Sequence, residues 1–456
     1  MSENSRVPTV INVVDVIDRG KLSTLQIRVV VLCAFIQFID GFDGQAMAYA
    51  APSLVHAWRL NRQVLGPVFS ASLGAILLGT ILIGPVSDRL GRKPVLVIAM
   101  FLVSLATCLT ALAGSPTALL TLRFFTGLGI GVLLPTSFVL MSEYAPLRRR
   151  TFLVLLMACG YAVGAAVGGL ITAELLNFYT WQSIFVVGGV LPLLLGMSLW
   201  LWLPESPRFL ATKKGVDDKI SVILRKLNSQ LIIPENSQFK INTDAPRGSF
   251  LALFADGRGW VTPLLWALLF FNFIPLNFLN SWLPVILNEA GLPIQRAVRI
   301  TTTFQMGGLV AIISLGLVAD WLGTTKSLFL ILVTSAIAIS LIGYVSHAAL
   351  APIVGLAGFC VIGGQNILFA LSASTYPTPI RSTGAGWAQG IGRIGSIVGP
   401  MIGGMLVVAH LPVRQLFIIV AVSAILELAC LGAMVLARRR QKITEIRVTS
   451  YVPEEA

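Results

Sequence analysis

Charge is scarce in this chain. Asp, Glu, Lys and Arg make up 12% of its 456 residues, against roughly 25% in an ordinary soluble domain. Hydrophobic residues supply 56%, and the mean hydropathy is +0.85. The apolar runs are too long and too many for a soluble helical protein. Histidine is rarer still: His56, His347 and His410 are the full set, and each falls near a loop end. No Ser/His/Asp set and no metal-ligand cluster is visible, so an enzyme is not expected, nor is a cofactor. The five cysteines (Cys33, Cys108, Cys159, Cys360, Cys430) all lie in apolar runs without a CxxC spacing. They read as small apolar fillers rather than disulfides or ligands. Residues 1–26 are polar, with Glu3, Asp15 and Asp18. They lack the pattern of a cleavable signal peptide, so the first apolar run itself directs insertion.

What is present is apolar sequence in lengths that suit a bilayer. A spanning helix needs about 20 residues, and that ruler predicts twelve spans, near 27–55, 64–86, 94–114, 117–141, 151–173, 182–203, 260–287, 299–319, 327–346, 350–374, 384–409 and 412–436. The first is longer than needed, and Ala51-Pro52 is expected to bend it or carry its end out of the membrane. The fold class is an all-α membrane protein of two six-helix bundles, 27–203 and 260–437. A cytoplasmic segment (1–26), a central polar loop (204–259) with a short amphipathic helix, and a tail (438–456) complete the chain.

Orientation follows from Lys and Arg. With both termini on one side, that side collects Arg89, Arg92, Lys93, Arg148 to Arg150, the central loop, Lys326, Arg381 and the tail. The other side keeps Arg59, Arg62, Arg296, Arg299 and Arg414. The first side is therefore cytoplasmic, and the net charge of +13 reflects topology rather than a nucleic-acid partner. The halves repeat: one fixed offset pairs Pro52 with Pro284, Gly84 with Gly316, Asp88 with Asp320, Gly91 with Gly323, Tyr144 with Tyr376, Arg149 with Arg381 and Gly160 with Gly392. Two repeated bundles put a solute site at the membrane midplane, the usual layout of secondary transporters.

Charges inside the apolar runs mark where that site lies. A charge at a helix centre in lipid costs roughly 2.5–3.5 kcal/mol on insertion scales. Four nonetheless occur at Asp40, Asp43, Arg123 and Arg393. Asp40 and Asp43 share one helix face, and Asp40 lies about 13 residues inside its run, roughly 20 Å deep. A desolvated carboxyl holds its proton more tightly, so these two are the candidates for proton coupling; Asp43 alone can also cap or pair. Arg393 is roughly 15 Å deep, too deep to snorkel, and its fork suits a substrate carboxylate or a structural ion pair. Arg123 lies nearer an end, where substrate binding, snorkelling and helix packing all remain open. Gln389, Asn272 and Phe42 are further candidate substrate contacts; Gln37, Asn277, Gln305, Gln365 and Asn366 either line a cavity or bond between helices. Glu427 sits mid-span without an evident role.

The loop Gly84-Pro85-Val86-Ser87-Asp88-Arg89-Leu90-Gly91-Arg92-Lys93, with its weaker copy Gly316 to Gly323, resembles the signature of the major facilitator superfamily. Arg123 above Gly127, Gly129 and Gly131 fits the same superfamily. Asp40-Gly41-Phe42-Asp43 followed by Ala51-Pro52 resembles the first-span signature of its aromatic acid:proton symporter family. Glu143-Tyr144, Pro204 to Leu210 and the stretch from Tyr376 to Gly399-Pro400 support it. The resemblance, which runs over about residues 10–440, implies import of small aromatic carboxylates, of the benzoate, hydroxybenzoate or protocatechuate class, by alternating access with a proton as coupling ion. It implies roles in transport for Asp40, Asp43, Arg123 and Arg393. It also implies a gate at Asp88, Arg89, Gly91, Arg92 and Asp320, with Glu143 close by. A muconate-like acid, a neutral solute such as a sugar, or a sensor without transport are the other readings. The expected setting is the inner membrane, as a monomer with a small-molecule substrate.

Overall fold

Hydrocarbon offers no water to a backbone amide, so a chain with many apolar runs must bond each run internally, as helix. The computed structural model describes residues 10–449 apart from 21, 60, 214, 228–233, 235, 236, 241–249, 256, 378, 379 and 410. Twelve helices among them are long and apolar enough to cross a membrane.

The first half holds α1 (Val13–Arg19), α2 (Thr24–Trp58), α3 (Leu65–Leu90), α4 (Arg92–Thr110), α5 (Pro116–Tyr144), α6 (Arg150–Phe178) and α7 (Gln182–Trp202). Two short helices, α8 (Pro207–Leu210) and α9 (Asp217–Leu227), follow. The second half holds α10 (Val261–Glu289), α11 (Ile294–Leu322), α12 (Thr324–Ile342), α13 (Leu350–Thr375), α14 (Arg381–Val408) and α15 (Val413–Thr449). Half of the spanning helices (α2, α3, α5, α6, α11 and α15) outrun the expected spans by about a turn or more, because polar residues outside an apolar window still complete helical bonds, whereas α4, α7 and α12 fall one or two residues short of the expected length. Pro52 does not end α2; it sits inside the continuous helix. The tail, expected to leave the bundle at 438, continues as helix to Thr449.

Local chemistry sets the breaks. Ser115 caps α5 by accepting from the amide of Ala118, with Pro116 in the first turn, where its missing N–H costs nothing. Gly91 and Gly323 start α4 and α12 at φ of 104° and 83°, a region L side chains avoid.

By contacts the chain forms two compact units. The first comprises 1–44, 75–165 and 182–244; the second comprises 45–74, 166–181 and 245–456. In the first, α4 packs on both α5 and α7, and α2 meets α6 backbone to backbone. A Cβ at Gly160 would fall 2.4 Å from the carbonyl of Ala34, and one at Gly164 2.0 Å from that of Phe38. This is the close approach that rows of small residues permit. In the second unit α14 uses Gly395 and Gly399 in the same way against the carbonyls of Phe270 and Ile274 on α10. Helices α11 and α13 pair likewise through Gly358 on the carbonyl of Phe304. The first unit also holds a small parallel sheet, β1 (Val10–Asn12) on β2 (Gln238–Lys240), with Ile11 opposite Phe239.

Candidate functional site

Helix α2 carries the acid pair. Asp40 and Asp43 are both buried, at 6% and 4% exposure. Gly41 between them is there for contact: a Cβ would fall 2.0 Å from the Tyr161 carbonyl of α6. The pair therefore rides on a helix pressed directly onto its neighbour.

Asp43 meets Arg123 of α5. The Arg123 Nη1 donates to Asp43 Oδ1 at 3.0 Å, and both side chains are sealed from solvent. Thr107 Oγ1 donates to the same carboxylate oxygen at 3.2 Å. Three threonines face Arg123 Nη2: Thr107 at 3.2 Å, Thr110 at 3.1 Å and Thr126 at 3.1 Å. Nη2 has two hydrogens for three acceptors, so the oxygens share them. The guanidinium also lies 5.1 Å from the centre of the Phe185 ring, within cation–π range. Its Nε is buried without a hydrogen-bond partner among the described residues. Arg123 is thus neither snorkelling nor lipid-facing. It is held in a charged and hydroxylated cage made by α2, α4, α5 and α7. The ring of Phe42 is spent on packing: a Cβ at Gly188 of α7 would touch it at 3.0 Å.

The remaining candidates belong to the second unit. Arg393 is half-buried on α14, and Gln389 is exposed one turn earlier, on the same face. Asn272 is fully buried and donates through Nδ2 to Glu427 at 3.3 Å and to the Val361 carbonyl at 3.5 Å. Several other polar span residues also bond within their own unit. Gln37 reaches Ser137, Asn277 the Phe273 carbonyl, Gln305 reaches Asn280, and Asn366 the Ile362 carbonyl.

The candidate gate in the first unit is a hub on Arg92. Its Nη2 meets Asp88 at 3.0 Å and Glu143 at 3.2 Å, and its Nη1 donates to the Ser87 carbonyl at 3.0 Å. The guanidinium stands over Phe209 at 5.4 Å. Glu205, unnoticed in the sequence except as part of a widely shared Pro-Glu-Ser-Pro-Arg run, accepts from the amides of Arg92 at 3.0 Å, Lys93 at 3.3 Å and Ser206 at 2.8 Å. It caps the start of α4, where unpaired amides and the helix dipole favour an anion. Burial pushes its carboxyl above the ordinary carboxylate range; the three amides and the Arg92 charge pull back. Gly91 makes room for it, since a Cβ there would fall 2.3 Å from Glu205 Oε2. Arg89 contributes only its carbonyl, which accepts from Lys213 at 3.2 Å; its side chain is exposed. Tyr144 donates to the Glu205 carbonyl at 2.6 Å, tying α5 to the same knot. The side chain of Asp320 lies outside the described residues.

A family model described as Major Facilitator Superfamily matches residues 33–372 and 300–450. The chain is 38% identical over 395 residues to the 4-hydroxybenzoate transporter PcaK of Pseudomonas putida, covering 86% of this chain and 88% of that protein. It is 35% identical over 416 residues to the gallate transporter of Pseudomonas putida, covering 91% and 93%. It is 31% identical over 425 residues to the benzoate transport protein of Acinetobacter baylyi, covering 91% of each. Among solved structures, a bacterial homolog of the human lysosomal transporter Spinster superposes with a TM-score of 0.69 at 15% identity, over 92% of this chain and 98% of that one. That last likeness speaks for the fold alone.

Proposed function

The chain belongs to the major facilitator superfamily and to its aromatic acid:proton symporter family, and from that premise we propose that it imports small aromatic carboxylates together with protons by alternating access. It is a transporter of aromatic acids, not an enzyme. The observation that carries the coupling is the buried Asp43–Arg123 pair. A proton on Asp43 cancels the carboxylate's charge and leaves an unpaired buried guanidinium, which is costly. That guanidinium then favours an incoming carboxylate. Proton and substrate thus enter together because each is the other's counter-charge. Asp40, on the same face of α2, is the second proton-coupling group. Arg393 supplies the fork that receives the substrate carboxylate, with Gln389 beside it. Phe42 in the first unit and Asn272 in the second are the further substrate contacts of this reading. The hub of Asp88, Gly91, Arg92 and Glu143, with Arg89 and the Asp320 copy, is the gate that breaks and re-forms as the halves rock. The distribution of Lys and Arg supports cytoplasmic termini in the inner membrane; the unit of function is one chain, and the proton is the only coupling ion.

The test is uptake by proteoliposomes of labelled benzoate, hydroxybenzoates, protocatechuate, muconate and glucose, with and without an imposed inward proton gradient. Gradient-driven accumulation of an aromatic acid, lost in Asp40→Asn and in Asp43→Asn, is expected. Equilibration of glucose regardless of the gradient, or accumulation of muconate alone, would reject the proposed substrate class.

A further inference from the structure

The first unit answers its buried acid at Asp43 with a cation. The second unit contains a buried acid treated differently. Glu427 lies about 14 residues into α15, roughly 20 Å from its start, and is 1% exposed. No Lys or Arg among the described residues forms an ion pair with it. Among the described residues its one bonded neighbour is an amide, Nδ2 of Asn272 at 3.3 Å.

Asn272 completes the observation. Its Nδ2 hydrogens go to Glu427 and to the Val361 carbonyl of α13. Its Oδ1 is buried and has no donor among the described residues. An amide oxygen in that position wants an O–H or N–H. A carboxylate has none to give, whereas a carboxylic acid has one, on the oxygen beside the one that already accepts from Nδ2. A protonated Glu427 therefore satisfies both faces of the amide in one ring: N–H to acid carbonyl, acid O–H to amide carbonyl. The surroundings agree, because an isolated carboxylate in apolar packing neutralises rather than stays charged. Leu431, one turn along the same face of α15, lies with Ile331 of α12 and Leu268 of α10 in the buried apolar cluster of the second unit. Among the described residues of the helices packed there, no cation stands at the depth of Glu427. Helices α10 and α12 are the ones packed on α15. The first carries only Glu289, at its far end; the second carries only Lys326, in its first turn. Helix α13 offers Cys360 and no charge, and α15 itself offers Cys430 in the next turn, with Arg414 near its start and the charged run Arg438, Arg439, Arg440, Lys442, Glu445 and Arg447 three turns or more beyond Glu427.

We infer that Glu427 and Asn272 form a protonated carboxyl–amide pair, a proton-binding site of the second unit distinct from the acids of α2. The inference is independent of which solute the protein carries. It is tested by infrared spectroscopy of the purified full-length protein in lipid vesicles at neutral pH. The wild type is expected to show a protonated-carboxyl C=O band that is lost in Glu427→Gln. In Asn272→Leu the same band is expected to move to higher wavenumber, because its hydrogen bond has gone. A wild-type spectrum from which Glu427→Gln removes no such band would overturn the inference. So would a band that Asn272→Leu leaves unmoved, and that second reading decides the matter if Glu427→Gln does not accumulate as folded protein.

Discussion

The turn between α3 and α4 and the turn between α11 and α12 stand at equivalent places in the two repeated halves, and both swing through a glycine with positive φ. Beyond the backbone they part. At Gly91 a side chain would strike Glu205 and Phe209; at Gly323 it would meet nothing within 4 Å. The next residue is Arg92 in one copy, tied to three carboxyl groups and a ring, and Thr324 in the other. The cause lies downstream. After α7 the chain breaks at Pro204 and returns Glu205 and Phe209 to the turn. The position matching Glu205 in the second half is Ala437, inside α15, which runs on as helix to Thr449. A helix that does not stop has no carboxylate to send back. The bend is common to both halves, and among the described residues the clamp is found at Gly91 and not at Gly323.

The strongest way to break this asymmetry is Arg92→Ala. Arg92 and Glu143 are each only 11% exposed, and removing one partner of a buried pair costs about 3–5 kcal/mol. A large drop in thermal melting temperature in detergent is expected, while Thr324→Ala in the other copy leaves it unchanged. Arg92→Lys should recover only part of the loss, since a point charge cannot serve Asp88, Glu143 and Ser87 as a fork does. A full recovery would show that charge alone holds the knot.

Next comes the pair Gly91→Ala and Gly323→Ala. Both incur the backbone strain of an L residue at positive φ with extended ψ, about 1–3 kcal/mol. Only Gly91→Ala adds the overpacking of Glu205 and Phe209, about 1–3 kcal/mol more. Equal losses in chemical or thermal unfolding would mean that the clamp yields freely.

Glu205 gives a smaller, pH-dependent effect. Burial raises its folded-state pKa above the ordinary value of 4.5. The stability it contributes is fully present below that value and is lost as pH rises through the folded one. The melting temperature of the wild type should therefore fall relative to that of Glu205→Gln as pH increases from the acid side. A gap that widens in favour of the wild type would reverse the sign.

Asp88→Asn is the mildest. Asp88 is 68% exposed in its bridge to Arg92, and exposed pairs contribute under about 1 kcal/mol. Stability should scarcely change, so a loss of uptake in this variant would report on gating rather than folding.

The spans were legible because a bilayer imposes a length and apolar residues register it. The bend at Gly91 was legible for a similar reason: few residues but glycine fit it. The partner of Arg123 was not. Spacing of three residues says that Asp40 and Asp43 share a face, but it cannot say which of five other helices that face meets. Thr107, Thr110 and Thr126 carried no flag, because threonine is ordinary in a span. The only hint was their three-residue spacing, Thr107 to Thr110 and Arg123 to Thr126, which stacks hydroxyls along one edge. Glu205 was hidden by a motif whose commonness concealed its contact. Residues 10–12 and 238–240 are too short for any periodicity to mark them as strands.

That last pairing bears on how the protein is made. Strand β1 leaves the ribosome before the first apolar helix, and β2 only after α7 and α9. Both strands belong to the part of the chain made first, and domains made first fold first, so their pairing is open to the linker before the second half is complete. A protein divided into two polypeptides after residue 240 keeps both strands on one piece. A division just before 238 parts them, and should reassemble less well although it cuts the same linker.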